Sequence, residues 1–332
     1  MSQFLQLCDF SQATIQSLLR RAEELRQDPI DTTLKDKVIA LVFMNPSLRT
    51  LTSFQSGIAQ LGGQSIVVSP GQQSWGFEWR DGIVMDGDAA EHVREAFGVL
   101  SSYCDAMGIR CFGAGRDLAE DLADPVLSAI AKAAKKPLFN MESAVRHPCQ
   151  SLADWKTLDD LGVPEAGGRF VLSWASHPKP LPLAVPSSTL LMAAQRGMDV
   201  TLCCPKGYEL PESVLQKVGS MAADFRISHD PREAGEGAHV IYAKSWGSPL
   251  HFGNTATELA LRSHHTDWCA NENWFAGAEK SARFLHCLPI RRGVVASDEV
   301  LDGPRSAVQI QGANRLHVQK SMLEHLLKEN LS

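Results

Sequence analysis

The chain has 332 residues, of which 44% are hydrophobic and 21% are charged, and its formal net charge is -6. These values are typical of a globular protein with two domains, and they argue against a nucleic-acid-binding protein, which is usually basic. No apolar run approaches the roughly 20 residues of a membrane span, so we expect no membrane partner. The eight cysteines are scattered without a C-x-x-C pair, which predicts a reduced, cytoplasmic protein with no disulfide framework and no metal site.

Short apolar strands alternate with helical patterns along most of the chain. The predicted strands cover 38–44, 65–69, 106–112, 136–140, 170–174, 199–204, 238–243, 284–288 and 306–310. The predicted helices include 91–102, 118–135, 187–196, 211–223, one that begins near residue 150, and a last one over 313–327. This alternation predicts an α/β protein with two doubly wound parallel-sheet domains joined by helices.

The stretch LVFMNPSLRTLTSF, residues 41–54, places polar side chains at a strand-to-helix turn. Ser47 is a candidate N-cap, since its hydroxyl can accept a hydrogen bond from a free backbone N–H. The positive end of a helix favours an anion, and the hydroxyl of Thr50 and the guanidinium of Arg49 strengthen that preference. The stretch therefore predicts a phosphate site, and the alternative is a well-capped helix with a solvated arginine.

Polar side chains also follow other predicted strands. They are Arg110, Glu142, His147, Gln150, His177, Lys179, Lys244, His286, Cys287 and Arg291. Each has an ordinary structural alternative, such as a surface arginine, a capping histidine or a small buried cysteine. Ligands of open α/β sheets bind at the carboxyl ends of strands, so together these residues indicate one ligand cleft between two domains.

Three segments carry a resemblance to a known family. NPSLRT, HPCQSLAD and HCLPIRR resemble, in this order, the three signature segments of the transcarbamylases. The resemblance covers nearly the whole chain. It implies a carbamoyltransferase whose carbamoyl-phosphate-binding domain spans 1–149 and is completed by a C-terminal helix at 312–332. It also implies an amino-acid-binding domain over 150–311, a homotrimer with shared active sites, and no cofactor.

The resemblance further implies roles for individual residues. The residues expected to bind carbamoyl phosphate are Ser47, Leu48, Arg49, Thr50, Trp75, Arg110, His147, Gln150, Cys287, Leu288 and Arg315. Those expected to bind the amino acid are Ala90, Glu142, His177, Lys179, Lys244 and Arg291. Arg110, His147 and Cys287 are the expected catalytic residues, because hydrogen-bond donors around the carbamoyl oxygen would form an oxyanion hole.

The segment YAKSWG differs from the corresponding segment of the family's ornithine enzymes. Those enzymes bind the free α-ammonium group with an acidic residue and a Ser-Met-Gly loop. Lys244 would repel an ammonium group, whereas it suits a carboxylate or an acylated, neutral nitrogen. The chain therefore looks like the branch of the family that acts on N-acylated ornithine. Trp75 supports this, because it would replace polar loop residues that aspartate enzymes send into a neighbouring active site.

The identity of the acyl group depends on the segment MDGDAAEHVREA. Members that use N-acetylornithine carry a glutamate there, and members that use N-succinylornithine carry a small residue or proline. We align Ala90 with this position. A glutamate at ~4 Å would repel the succinyl carboxylate by about 4 kcal/mol at an effective dielectric constant near 20. We therefore predict N-succinyl-L-ornithine as the substrate and N-succinyl-L-citrulline as the product, in arginine biosynthesis.

Two alternatives stay open. A shift of one residue in this alignment would put Glu91 at the position and favour N-acetyl-L-ornithine. A more distant alternative is a non-catalytic, anion-binding regulatory protein.

A further feature is HPKPLPLAVP, which has four prolines in ten residues. It is either a stiff surface loop or, as the resemblance implies, part of a deep knot in the second domain.

Overall fold

The computed structural model describes residues 3–328 and divides the chain into two compact units. Unit 1 contains the residues up to Ala114, Ala119–Cys149 and the residues from Arg315 onward. Unit 2 contains Gly115–Leu118 and Gln150–Asn314. The last part of the predicted C-terminal helix, residues 329–332, lies outside the described residues. Within the described residues, no helix combines the length and apolar character needed to cross a membrane.

Unit 1 is built around a five-stranded parallel sheet. Its elements are β1 (Gln3–Phe4), α1 (Gln12–Gln27), β2 (Val38–Phe43), α2 (Leu48–Gln60), β3 (Gln64–Val68), β4 (Phe77–Glu78), β5 (Glu91–His92), α3 (Val93–Leu100), β6 (Ala106–Arg110), α4 (Leu118–Leu122), α5 (Pro125–Ala133) and β7 (Leu138–Glu142). The strand order is β1-β7-β6-β2-β3, while β4 and β5 form a separate parallel pair. The central strands are apolar and buried, as is typical of parallel sheets covered on both faces.

Close packing at the centre of this sheet explains one glycine of β6. A Cβ atom at Gly108 would lie 2.3 Å from the ring of Phe139 on β7. Only a residue without a side chain fits there. The two strands are therefore matched by a small residue facing a large one.

Unit 2 contains a second five-stranded parallel sheet. The elements that follow β7 are α6 (Pro148–Asp160), β8 (Arg169–Trp174), α7 (Ala184–Gln195), β9 (Asp199–Cys203), α8 (Glu212–Met221), β10 (Asp224–Ser228), α9 (Pro231–Ala234), β11 (Val240–Lys244), α10 (Thr255–Arg262), β12 (Arg283–Leu285), α11 (Asp298–Asp302) and α12 (Val308–Lys328). The strand order is β10-β9-β8-β11-β12. Helix α7 is buried from Ala184 through Ala194, so it lies in the core of this unit. The two parallel-sheet α/β units confirm the predicted fold class, while the knot stays a prediction.

The structure corrects some predicted elements. The segment 306–310 is not a strand: α12 begins at Val308, and Ser306 forms only an isolated bridge to Phe284. The predicted helix over 118–135 is divided into α4 and α5, because Pro125 cannot continue a helix and instead starts a new one. Strand β10 was missed because its exposed, partly polar residues lie at a sheet edge and lack a continuous apolar run.

Candidate active site

The predicted phosphate turn of unit 1 is a capped helix start. Ser47 is the N-cap of α2, and its hydroxyl oxygen accepts a hydrogen bond from the backbone N–H of Thr50 at 3.3 Å. The same hydroxyl donates to the Thr50 hydroxyl oxygen at 3.0 Å. Leu48, the first residue of the helix, has a side chain that is 75% exposed. The structure thus places two hydroxyl groups at the positive end of a 13-residue helix.

Two arginines lie at this turn: Arg49 belongs to the start of α2 itself, and Arg315 comes from the distant helix α12. Arg315 of α12 is buried, and its Nη2 donates to the Thr50 hydroxyl oxygen at 3.2 Å. Arg49 lies near enough that its charge opposes that of Arg315, although burial is the larger cause that lowers the pKa of Arg315. An arginine keeps its proton at neutral pH. Both side chains are therefore cations beside one helix terminus.

Arg110 ends strand β6 and is buried within the same unit. Its Nε donates to the carbonyl oxygen of Asn45 at 3.1 Å, and its Nη1 donates to the carboxylate of Glu142. The guanidinium group also lies over the ring of Phe112, 4.6 Å from the ring centroid. These contacts fix the guanidinium group at the carboxyl end of β6.

His147 lies beside this ion pair, just before α6. Its Nε2 is 3.5 Å from the Glu142 carboxylate, and its side chain is buried. Burial lowers the pKa of His147 well below its ordinary value, and the positive charges of Arg315 and Arg110 lower it further. The imidazole is therefore neutral at pH 7 and can donate only one N–H.

We call these residues of unit 1 the arginine cluster. Its members are Ser47, Arg49, Thr50, Arg110, Glu142, His147 and Arg315. The cluster contains three guanidinium groups and a single carboxylate, and His147 adds no charge because it is neutral. The cluster therefore carries an excess of positive charge. Such a cluster can bind a dianion. Glu142 was predicted to bind the amino acid, but its ion pairs place it with the residues predicted for carbamoyl phosphate.

Trp75 and Ala90 belong to two loops that bind each other. The indole N–H of Trp75 donates to the carboxylate of Glu91 at 2.7 Å, and the backbone N–H of Ala90 donates to the carbonyl oxygen of Gly76 at 3.3 Å. Trp75 is 59% exposed, and Ala90 is exposed as well. An exposed tryptophan held by a hydrogen bond is typical of a surface that contacts another molecule.

A second basic group forms in unit 2, and we call it the His177 cluster: His177, Lys244 and Arg291. The Nε of Arg291 donates to Nε2 of His177 at 3.2 Å, and Nδ1 of His177 contacts the carbonyl oxygen of Lys179 at 2.9 Å. Burial lowers the pKa of His177, with smaller contributions from the charges of Lys244 and Arg291. Lys244 is buried at the end of β11, and its Nζ donates to the carbonyl oxygen of Ser245 at 2.7 Å. The cluster can bind a carboxylate, whereas the Lys179 side chain points into solvent.

The HCLP segment follows β12 and forms a strained turn. The backbone N–H of Leu288 donates to Nδ1 of His286 at 2.8 Å, and the φ angle of Leu288 is 54°, which is uncommon for a residue other than glycine. Strained backbone of this kind is concentrated at functional sites. Cys287, between them, is partly buried.

Hydrogen bonds within unit 2 connect Gln150 to this turn. Gln150 donates to Asp154 at 2.8 Å, and Gln311 donates to the same carboxylate oxygen at 2.7 Å. Gln311 in turn accepts a hydrogen bond from the backbone N–H of His286 at 2.9 Å. Asp154 is completely buried, so this carboxylate orients two predicted site segments. Neither Asp154 nor Gln311 was predicted as a site residue; Asp154 is the last residue of the HPCQSLAD segment, and its place there was a signal for such a role.

Two family models match the chain. The carbamoyl-phosphate-binding domain of aspartate/ornithine carbamoyltransferases matches residues 2–160, and the Asp/Orn-binding domain matches residues 184–326. The chain therefore belongs to the aspartate/ornithine carbamoyltransferase family and is a carbamoyltransferase. Within the family it belongs to the N-acylornithine branch, as the relatives described next indicate.

Two relatives of this chain are named for substrates that carry different acyl groups. The N-acetylornithine carbamoyltransferase of Xanthomonas campestris is 41% identical over 98% of both chains. The N-succinylornithine carbamoyltransferase of Bacteroides thetaiotaomicron is 34% identical over 91% of both chains. A solved N-acetyl-L-ornithine transcarbamylase, a glutamate-to-alanine variant complexed with carbamyl phosphate and N-succinyl-L-norvaline, superimposes with a TM-score of 0.95 at 41% identity, covering 98% of this chain and 100% of that one.

Proposed function

We propose that this enzyme transfers the carbamoyl group of carbamoyl phosphate to the δ-amino group of an N-acylornithine, giving an N-acylcitrulline and phosphate in arginine biosynthesis. The observation that carries the proposal is the arginine cluster, which combines a helix N-terminus, two hydroxyl groups and three guanidinium groups within one unit. In this proposal the arginine cluster binds the phosphate group and the carbamoyl oxygen of the donor, and the His177 cluster binds the amino acid.

The phosphate group of the donor is bound by Ser47, Arg49 and Thr50 together with backbone N–H groups at the start of α2. Arg110 and His147 donate to the carbamoyl oxygen, on which negative charge develops as the tetrahedral intermediate forms. Each well-placed donor of this kind contributes about 3–4 kcal/mol to the stability of the transition state. The neutral state of His147 supports this role, since a neutral ring donates one hydrogen bond without adding a proton-transfer step.

The amide nitrogen of the carbamoyl group requires acceptors, and the carbonyl oxygens of Cys287 and Leu288 supply them in this proposal. The left-handed backbone of Leu288 and the hydrogen bond from its N–H to His286 support a fixed orientation of these carbonyl groups. Gln150, which is oriented by its hydrogen bond to Asp154, binds the carbamoyl end of the donor as well.

The δ-amino group must lose a proton before it attacks. Its pKa resembles that of lysine, ~10.4, so deprotonation at pH 7 costs about 4–5 kcal/mol. The nitrogen then attacks the carbonyl carbon, the bond from that carbon to the phosphate oxygen breaks, and phosphate leaves with the bonding electrons. The first proton is released to solvent before the attack. The attacking nitrogen loses a second proton as the new carbon–nitrogen bond forms, and we propose that the departing phosphate accepts this one.

The carboxylate of the amino acid is bound by the His177 cluster. Lys244 and Arg291 are both cations near His177, and none of the three residues provides a negative charge that would attract a free α-ammonium group. An acylated nitrogen is neutral and avoids this repulsion. The cluster thus supports an N-acylornithine over ornithine itself.

Overall similarity favours the acetyl group, which was the alternative to the predicted succinyl group. The N-acetylornithine relative is 41% identical to this chain, while the N-succinylornithine relative is 34% identical. N-acetyl-L-ornithine is therefore the first substrate that we propose.

A specific local observation favours a second candidate, N-succinyl-L-ornithine. We align Ala90 with the glutamate of acetylornithine enzymes, and the glutamate-to-alanine variant described above was solved with N-succinyl-L-norvaline. The adjacent Glu91 is held by the Trp75 indole. The exposure of Trp75 and Ala90 also supports a homotrimer in which these loops reach a neighbouring subunit.

The deciding experiment is a side-by-side assay of citrulline-type product with ornithine, N-acetylornithine and N-succinylornithine, each with carbamoyl phosphate. We expect kcat/KM to be highest for one acylated substrate and at least about tenfold lower for ornithine. Equal or greater activity with ornithine would contradict the role of the His177 cluster. A protein that binds phosphate in calorimetry but forms no product with any of the three would instead be a binding module.

A further inference from the structure

Cys204 and His229 are brought together by the register of two parallel strands. Cys203 and Ser228, the last residues of β9 and β10, are paired across the sheet of unit 2. The backbone N–H of Cys204 then donates to the carbonyl oxygen of Ser228 at 3.1 Å. Cys204 and His229 are thus the first residues past two neighbouring strands, at the same edge of the sheet.

The imidazole of His229 is held in one tautomer. Its Nδ1 lies 2.8 Å from the carbonyl oxygen of Cys204, which can only accept a hydrogen bond, so Nδ1 carries the proton. In the neutral ring, Nε2 is then the atom that presents a lone pair, and it lies 3.8 Å from Oε1 of Glu209. A histidine that donates Nδ1–H to a backbone carbonyl while presenting Nε2 has the arrangement found in protein metal ligands.

Glu209 is oriented as well. Its Oε2 accepts a hydrogen bond from the backbone N–H of Gly207 at 2.8 Å, which leaves Oε1 on the side of His229. The thiol of Cys204, the imidazole of His229 and this carboxylate each offer one atom, and the three atoms lie within 4.8 Å of one another. Within residues 3–328, no other three side chains of histidine, cysteine, aspartate or glutamate place their ligand atoms this close together.

The spacing and exposure of these atoms suit one metal ion. Bonds of about 2.0 Å to nitrogen or oxygen and about 2.3 Å to sulfur separate tetrahedral ligand atoms by roughly 3.5 Å. The three atoms now lie within 4.8 Å of one another, and small side-chain movements would bring them to this shorter separation. Cys204 is fully buried, whereas the side chains of His229 and Glu209 are 38% and 32% exposed. An ion can therefore enter from solvent and keep a water molecule as its fourth ligand.

We propose that Cys204, Glu209 and His229 bind one zinc ion. A thiolate, an imidazole and a carboxylate form a ligand set that suits zinc, whereas magnesium and calcium prefer oxygen ligands alone. The zinc–sulfur bond forms as the thiol releases its proton to solvent. The ion would link the ends of β9 and β10 to the turn at Gly207, a structural role that is independent of carbamoyl transfer. This inference departs from the sequence analysis, which predicted no metal site because the cysteine spacing lacked a C-x-x-C pair.

The test uses the full chain, stripped of metal with a chelator and titrated with zinc by calorimetry. We expect one zinc ion per chain, and we expect Cys204→Ala and His229→Gln each to weaken binding at least about tenfold. Cys269→Ala and His264→Gln are matched controls outside the trio, and they should bind zinc like the original chain.

Cobalt provides a second readout that does not depend on affinity. A cobalt–thiolate bond produces a charge-transfer absorption band in the near ultraviolet, which should be present in the original chain and absent in Cys204→Ala. Circular dichroism establishes that each variant is folded. Because His229 is partly exposed, His229→Gln should leave the hydrophobic core intact. Zinc binding that is unchanged in both Cys204→Ala and His229→Gln, or no one-to-one zinc binding by the original chain, would overturn the proposal.

Discussion

Arg262 and Glu258 lie one turn apart in α10 and form an ion pair of 2.6 Å whose side chains are only 4% and 3% exposed. Arg262 also donates to the carbonyl oxygens of His177 and Trp246, both at 2.9 Å. Its guanidinium group lies 5.4 Å from the ring centroid of Trp174. One buried cation therefore binds both the segment after β8, which carries His177, and the segment directly after Lys244, the last residue of β11.

Arg262→Met tests this arrangement. Removal of one partner leaves Glu258 buried without its counter-charge, so we expect the free energy of unfolding to fall by about 3–5 kcal/mol. Urea unfolding measures the change. Arg292→Met is the matched control, because its ion pairs with Asp298 and Asp302 are exposed to solvent, and it should change stability little. Equal effects of the two substitutions would contradict a special role for the buried pair.

Arg49→Ala tests the phosphate role of the arginine cluster. We expect kcat/KM to fall at least about 100-fold, since a hydrogen-bond donor to the departing phosphate is lost, and we expect calorimetry to show weaker binding of carbamoyl phosphate. Arg26→Ala on α1 removes another arginine, one whose side chain is 43% exposed, and should leave both quantities unchanged. Near-normal activity of Arg49→Ala would count heavily against the proposed site.

The buried His147 predicts a pH dependence of folding. The pKa of this histidine lies well below 6.5 in the folded chain and near 6.5 in the unfolded chain. Below pH 6.5 the unfolded chain therefore binds a proton that the folded chain does not, and stability decreases as the pH falls. We expect His147→Gln to make the decrease between pH 6.5 and about pH 5 shallower. Urea unfolding at several pH values measures this slope, and parallel profiles for His147→Gln and the original chain would refute the prediction. His264→Gln, at an exposed position, is the control.

Ala90→Glu tests the acyl-group position. A carboxylate at this point should repel the succinyl carboxylate and leave the acetyl group unaffected, so the ratio of kcat/KM for N-acetylornithine to that for N-succinylornithine should rise at least about tenfold. Ala89→Glu places the same charge one residue away and should change this ratio much less. If only Ala89→Glu shifts the ratio, the alignment is displaced by one residue.

The sequence was most informative where local chemistry decides the structure. Ser47 was predicted as an N-cap and is one, because the cap depends only on the Thr50 N–H three residues later. Arg110 was predicted at the end of a strand and lies there. The start of β2 at Val38 and the existence of the parallel sheets also followed from short apolar runs, although β2 ends at Phe43, one residue before the predicted end.

Long-range contacts were beyond this kind of reasoning. The hydrogen bond from Gln311 to Asp154 joins residues 157 positions apart, and no periodicity reveals it. The same holds for the ion pairs that place Glu142 beside Arg110 and His147, since their geometry depends on how β6 and β7 align. The apolar pattern at 306–310 was misread as a strand because short apolar runs do not distinguish a strand from the start of a buried helix.

The discontinuity of unit 1 has a consequence for protein synthesis. Lys320 of α12 donates to the carbonyl oxygens of Leu25 and Pro29 and to the side chain of Gln60, at 2.9 to 3.0 Å. Arg21 similarly binds Glu324. A nascent chain that has left the ribosome only as far as residue 149 lacks these partners and exposes the surface that they cover. Chains stalled before α12 has emerged should therefore be bound by chaperones, and they should be released once α12 emerges.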